Sequence, residues 1–130
     1  MKLTTDFDKL GFHDASIENI ERQSGSITID IKGAFISKEH PCSDGQDWIV
    51  EKAKLEILGV TEERATFWDD NKTAKEHPEP EFPLDEIMHA HFVEGVFSFD
   101  GFKETVPWYE WFITANSFVL EVNSASKFSS

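Results

Sequence analysis

Ser26-Ile27-Thr28-Ile29-Asp30-Ile31-Lys32 is the most regular stretch of the chain. Side chains alternate across a β-strand, so Ile27, Ile29 and Ile31 share one face while Thr28 and Asp30 share the other. β-Branched residues suit such a pleated, half-buried surface. The turn pair Ser24-Gly25 precedes the stretch, and residues 15–22 before it carry Ile17 and Ile20. The two segments read as a hairpin. Its apolar face needs further strands to cover it.

Those strands follow outward. Ala53, Leu55 and Ile57 alternate with Lys52, Lys54 and Glu56 and predict a strand to about Val60. Gly59 argues against the competing helix, where glycine costs about 1 kcal/mol. Residues 64–68 predict its partner strand across Thr61-Glu62-Glu63, and the proline-rich, acidic residues 69–83 predict a loop. In the next strand Ile87, His89, His91 and Val93 fall on one face, with Met88, Ala90, Phe92 and Glu94 on the other. Gly95 marks a bulge or bend there. Residues 96–99 lead to the turn pair Asp100-Gly101. Residues 105–115 place Tyr109, Trp111, Ile113 and Ala115 on one face and Trp108, Glu110, Phe112 and Thr114 on the other. Phe118, Leu120 and Val122 form the last strand, and the polar residues 124–130 are expected to fray. A short helix fits near 5–10, or near 85–90 in place of the strand.

The predicted fold class is mainly β: a single antiparallel sheet, or a β-sandwich or partly open barrel, of about seven to eight strands joined in hairpins, with at most one or two short helices. The predicted core is Ile27, Ile29, Ile31, Leu55, Ile57, Phe97, Phe99, Tyr109, Trp111, Ile113, Phe118, Leu120 and Val122.

Composition narrows the class of function. A length of 130 residues predicts one domain, residues 1–130. Twelve basic against 25 acidic residues give a net charge of −13. That excludes nucleic acid as the main partner, since phosphate neutralisation needs clustered Lys and Arg. It favours a protein partner that is basic, with a homodimer as the alternative. No apolar run approaches the roughly 18 residues of a membrane helix, so no membrane partner is expected. The N-terminal residues MKLTTDFDKLGF lack the apolar run of a signal peptide, and Cys42 has no second cysteine to pair with. Both predict the cytoplasm.

Four constellations are candidates for chemistry. His89 and His91 lie on one side of a strand, and with His13 and Glu94 they would make a ligand set for zinc, iron or manganese. A regular strand turns Glu94 away from both imidazoles, so no cofactor is expected and metal binding is the alternative reading. Cys42 and His40 are the residue types of a nucleophilic thiolate–imidazole pair, but they lie two apart around a proline in a loop where Asp44 and Asp47 disfavour the thiolate. The carboxylates Asp69, Asp70, Glu79 and Glu81 belong to an acidic loop suited to a basic partner. The face carrying Trp108 and Phe112 becomes an exposed aromatic patch unless another layer covers it, and such patches mark partner surfaces. No Gly-rich phosphate loop, GxSxG or CxxC occurs, so nothing requires an enzyme and no catalytic residue is assigned.

The segment Leu10-Gly11-Phe12-His13-Asp14-Ala15-Ser16-Ile17, followed by Ile20 and the alternating strand, resembles the opening of several small bacterial β-sheet families. Some of these are immunity proteins of polymorphic toxin systems. The closing residues 111–115 and 119–122 are similar in character to their last hairpin. The resemblance implies a cytoplasmic β protein without catalytic activity and supplies no partner. Together with the charge of −13, the small size and the missing catalytic motif, it leads to an acidic binding protein, expected to be an antidote that neutralises a toxin. Two alternatives stand beside it: a metal-binding protein using His89 and His91, and a small-ligand β-barrel lined by aromatics.

Overall fold

The computed structural model describes residues 1–68, 73–104 and 106–128, without the side chains of 106 and 107. Among these residues the strands are, in chain order, Lys2–Leu3 (β1), Leu10–Gly11 (β2), Ser16–Gln23 (β3), Ser26–Lys32 (β4), Ala34–Ile36 (β5), Trp48–Leu58 (β6), Glu62–Trp68 (β7), Ala74–Glu76 (β8), Glu86–Val93 (β9), Val96–Lys103 (β10), Val106–Thr114 (β11) and Ser117–Lys127 (β12). The one short helix among the described residues is a 3-10 turn, Phe7–Lys9. The chain is mainly β, as its alternation requires. The twelve strands form one open antiparallel sheet in the order β1-β12-β6-β4-β3-β9-β10-β11-β7-β8, with β5 pairing to β2 and β6 off that path.

The expected count of seven to eight strands matches the long ones alone. β1, β2, β5 and β8 have two or three residues each. Two or three residues are too few for alternation to show. The hairpin β3–β4 forms as expected, with Gln23 opposite Ser26. Gly25 takes the positive φ of 76° that its turn needs.

The sheet doubles over on itself around Phe7. Phe118 on β12 and Phe97 on β10 lie far apart in strand order, yet their ring centroids are 6.1 Å apart. The Phe7 ring reaches both, at 5.1 Å from Phe118 and 5.2 Å from Phe97. One continuous core results, holding the predicted residues except Tyr109 and Val122, which are half-buried at its margin. Phe7, Phe12, Ile36, Val50, Leu84 and Ile87 complete it.

Three local readings are corrected. β7 does not pair with β6: Val60 donates its N–H to Gly25 O and Thr61 to Thr114 O, carrying the chain across to β11. Asp100-Gly101 is not a turn, because β10 runs through it. Gly101 is needed there because a Cβ would stand 2.0 Å from Glu86 O. Glu94-Gly95, both at positive φ, make the β9–β10 turn, where a bulge or bend is expected from Gly95 alone. The polar residues 124–127 are placed in β12, where Lys127 lies opposite Trp48. Finally, Ile87 does not share a face with His89 and His91: the expected strand forms as β9, but with a register shift where Asp100 pairs with His89 and Gly101 pairs with Ile87. This bulge at Met88 separates Ile87, which is buried, from His89 and His91, which are exposed.

Candidate functional site

The outward face of β9, β10, β11 and β7 gathers most of the candidate residues. Register arranges them in rows. His89 lies opposite Asp100, Asp100 opposite Glu110, and Glu110 opposite Thr66. The next row is His91, Ser98, Phe112 and Arg64. On the other side of the Asp100–Glu110 row, Trp68 and Trp108 lie one step beyond the Tyr109–Phe67 pair, on opposite strands. Trp68 is 42% exposed and Trp108 40% exposed.

The two tryptophans flank a groove of about 210 Å³ whose other lining residues are Asp100 and Glu110. Like charges directly opposite on paired strands are unfavourable, so each carboxylate is held by donors. His89 Nδ1–H donates to Asp100 Oδ1 at 2.9 Å. Trp68 Nε1–H and Thr66 Oγ1–H both donate to Glu110 Oε1. The second oxygens, Asp100 Oδ2 and Glu110 Oε2, accept no hydrogen bond among the described residues, and no described Lys or Arg pairs with either group. Trp108 is fixed by stacking, 5.5 Å from Phe102 and 6.4 Å from His89.

Phe112 is covered differently. The Arg64 guanidinium lies 4.9 Å above its ring, a cation–π contact made by the chain itself. Glu79 and Glu81 lie elsewhere. Glu79 pairs with Lys103 at 3.4 Å, and the Glu81 carbonyl accepts a hydrogen bond from Arg22. Asp69 and Asp70 lie outside the described residues.

The N-terminal segment lies across β9, since Asp14 N–H donates to Ile87 O and His13 Nδ1–H to Met88 O. His13 thereby comes to 6.4 Å from His89, and His89 to 6.5 Å from His91, ring to ring. The His89 and His91 rings are stacked at 10°, side by side instead of pointed at a common centre. Glu94 sits in the turn beyond Val93. No three His, Cys, Asp or Glu side chains among the described residues form a metal-holding group.

The remaining histidines are structural. His40 Nδ1 accepts the Cys42 N–H and its Nε2–H donates to Thr5 O. His77 Nδ1 accepts the Glu79 N–H and its Nε2–H donates to Pro83 O. Each is a His-Pro-X clip with both ring nitrogens committed to backbone, which leaves His40 no nitrogen with which to activate the exposed Cys42.

A larger groove lies outside β4 and β6, lined by Glu18, Asp30, Lys32, Lys52 and Lys54 among others. Its charges largely neutralise one another: Lys54 meets Asp30 at 3.1 Å and Lys32 meets Glu18 at 3.8 Å. The hydrogen bond and charge of Asp30 hold the Lys54 ammonium above the ordinary lysine value. The tryptophan groove is smaller, but its carboxylates have no lysine or arginine partner among the described residues.

Family models, curated proteins and solved structures contain no match to this chain. No described helix is long and apolar enough to cross a membrane. Sequence reading identified Trp108, Phe112 and the histidines but missed Trp68, Asp100 and Glu110 as site residues. The alternation Phe97, Phe99, Gly101 was the available signal, since it turns Asp100 outward once Asp100-Gly101 is read as strand.

Proposed function

We propose that this chain is a non-catalytic acidic binding module of the cytoplasm whose partner is a basic protein. The observation that carries the reading is the outward face of β9–β10–β11–β7, where two half-exposed tryptophans flank paired carboxylates. Aromatic anchors are the usual centres of binding hot spots, and here they stand beside two half-buried carboxylates. The net charge of −13 speeds encounter with a cationic surface and discourages acidic partners. The antidote of a toxin is the form of this reading that agrees with the resemblance of the opening segment, the small size and the missing catalytic motif.

The test is co-expression with the product of the open reading frame beside its own. The wild-type chain should relieve growth arrest by that product, and Trp108→Ala with Phe112→Ala should lose the relief. Relief that survives the double substitution removes this face from the reading. A harmless neighbouring product removes the antidote class. The complex should also weaken steeply as salt rises from about 0.05 to 0.5 M, because screening shortens the reach of surface charge.

Metal binding has one observation in its favour, the arrival of His13 beside His89. Zinc titration separates the two readings: stoichiometric uptake lost in His89→Ala with His91→Ala supports the metal site.

A further inference from the structure

The inner face of the same sheet already contains a complete arrangement of indole, carboxylate and guanidinium. Trp111 Nε1–H donates to Glu63 Oε2 at 2.8 Å. The Arg22 guanidinium then forks onto Glu63, with Nε at 2.9 Å from Oε1 and a terminal nitrogen at 2.7 Å from Oε2. Its carbon lies 5.9 Å from the Trp111 ring. On the outer face Trp68 Nε1–H donates to Glu110 in the same way. There Asp100 stands opposite Glu110, and Trp108 supplies a second indole.

We infer that the groove between Trp68 and Trp108 binds an arginine side chain of the basic partner. The inference rests on the protein-binding reading above and names the group that is recognised. Guanidinium fits for three reasons. It is planar and stacks on indole. Its fork of N–H donors matches Asp100 Oδ2 and Glu110 Oε2, which accept no hydrogen bond from the described residues. It is more weakly hydrated than the lysine ammonium, so entering a groove walled by aromatics costs it less. At about 210 Å³ the groove suits one side-chain head group, below the roughly 300–1,000 Å³ of drug-sized ligand pockets. Its two carboxylates gain a countercharge on binding, which removes the repulsion between them.

The test is calorimetric titration of the whole protein with a nine-residue arginine peptide and a nine-residue lysine peptide at equal salt. The arginine peptide should bind about tenfold tighter, and Trp108→Ala and Glu110→Gln should each erase most of that difference. Trp108→Phe keeps an aromatic wall should the alanine variant misfold, and it should retain part of the preference. If both peptides bind equally, or the preference survives both substitutions, the arginine groove is wrong while the acidic binding reading stands. If neither peptide binds, both are wrong.

Discussion

Trp111 and Trp108 lie three residues apart on β11 and face opposite ways. Trp111 is fully buried, its indole bonded to a glutamate that an arginine of β3 has closed over. Trp108 is 40% exposed, beside two carboxylates that no described Lys or Arg pairs with, His89 donating to one of them. The same residue types therefore do two jobs. Inside, Arg22 also donates to the carbonyls of Pro80 and Glu81 and ties the 77–83 segment to the β3–β4 hairpin. Outside, a comparable set of acceptors has no Lys or Arg to pair with among the described residues, and we propose that a partner supplies one. The difference teaches that an aromatic–acid pair contributes to stability when the chain supplies the cation and to recognition when another molecule does.

The comparison breaks most visibly at Arg22. Arg22→Ala leaves Glu63 part-buried against Trp111 and frees two carbonyls, and should cost about 2–4 kcal/mol in urea unfolding. A loss under about 1 kcal/mol would mean that the inner arrangement does not stabilise the fold. Trp108→Ala should cost under about 1 kcal/mol, because its indole is half in water and makes no hydrogen bond among the described residues. Glu110→Gln keeps the oxygen that Trp68 needs and removes one of two opposed charges. Its unfolding free energy should stay within about 0.5 kcal/mol of the wild type, or rise.

The smallest effect belongs to Lys54, paired with Asp30 on the open surface of β4 and β6. Its pKa is raised in the folded chain, so its contribution is complete at neutral pH and fades only as pH climbs through the lysine range. Lys54→Met should lower the Tm slightly at pH 7, and the gap should narrow in strongly alkaline buffer. A gap that opens on acidification would contradict that sign.

Much of this fold was legible because most of its long strands alternate cleanly. Ile27, Ile29, Ile31, Leu55 and Ile57 needed only period two. Phe7 was not legible, since its role depends on β10 and β12 closing around a 3-10 turn that no local pattern reports. The bulge at Met88 was hidden for a similar reason. Gly101 admits the Glu86 carbonyl, and that close approach is a fact of pairing between strands, not of sequence within one. The site was half legible for the same cause. Trp108 and Phe112 share a strand and showed their common face. Asp100 and Trp68 come from neighbouring strands, and Asp-Gly read in isolation favours a turn.

The four indole N–H groups allow the central claim to be read directly. Trp48 Nε1–H donates to Ser43 O, Trp111 to Glu63 and Trp68 to Glu110, while Trp108 has no acceptor among the described residues. In a nitrogen–proton correlation spectrum each gives its own signal. Titration with the nine-residue arginine peptide should move the Trp68 and Trp108 indole signals together, saturably, and leave those of Trp48 and Trp111 in place. Movement at Trp48 or Trp111 with Trp68 and Trp108 unmoved would contradict the account.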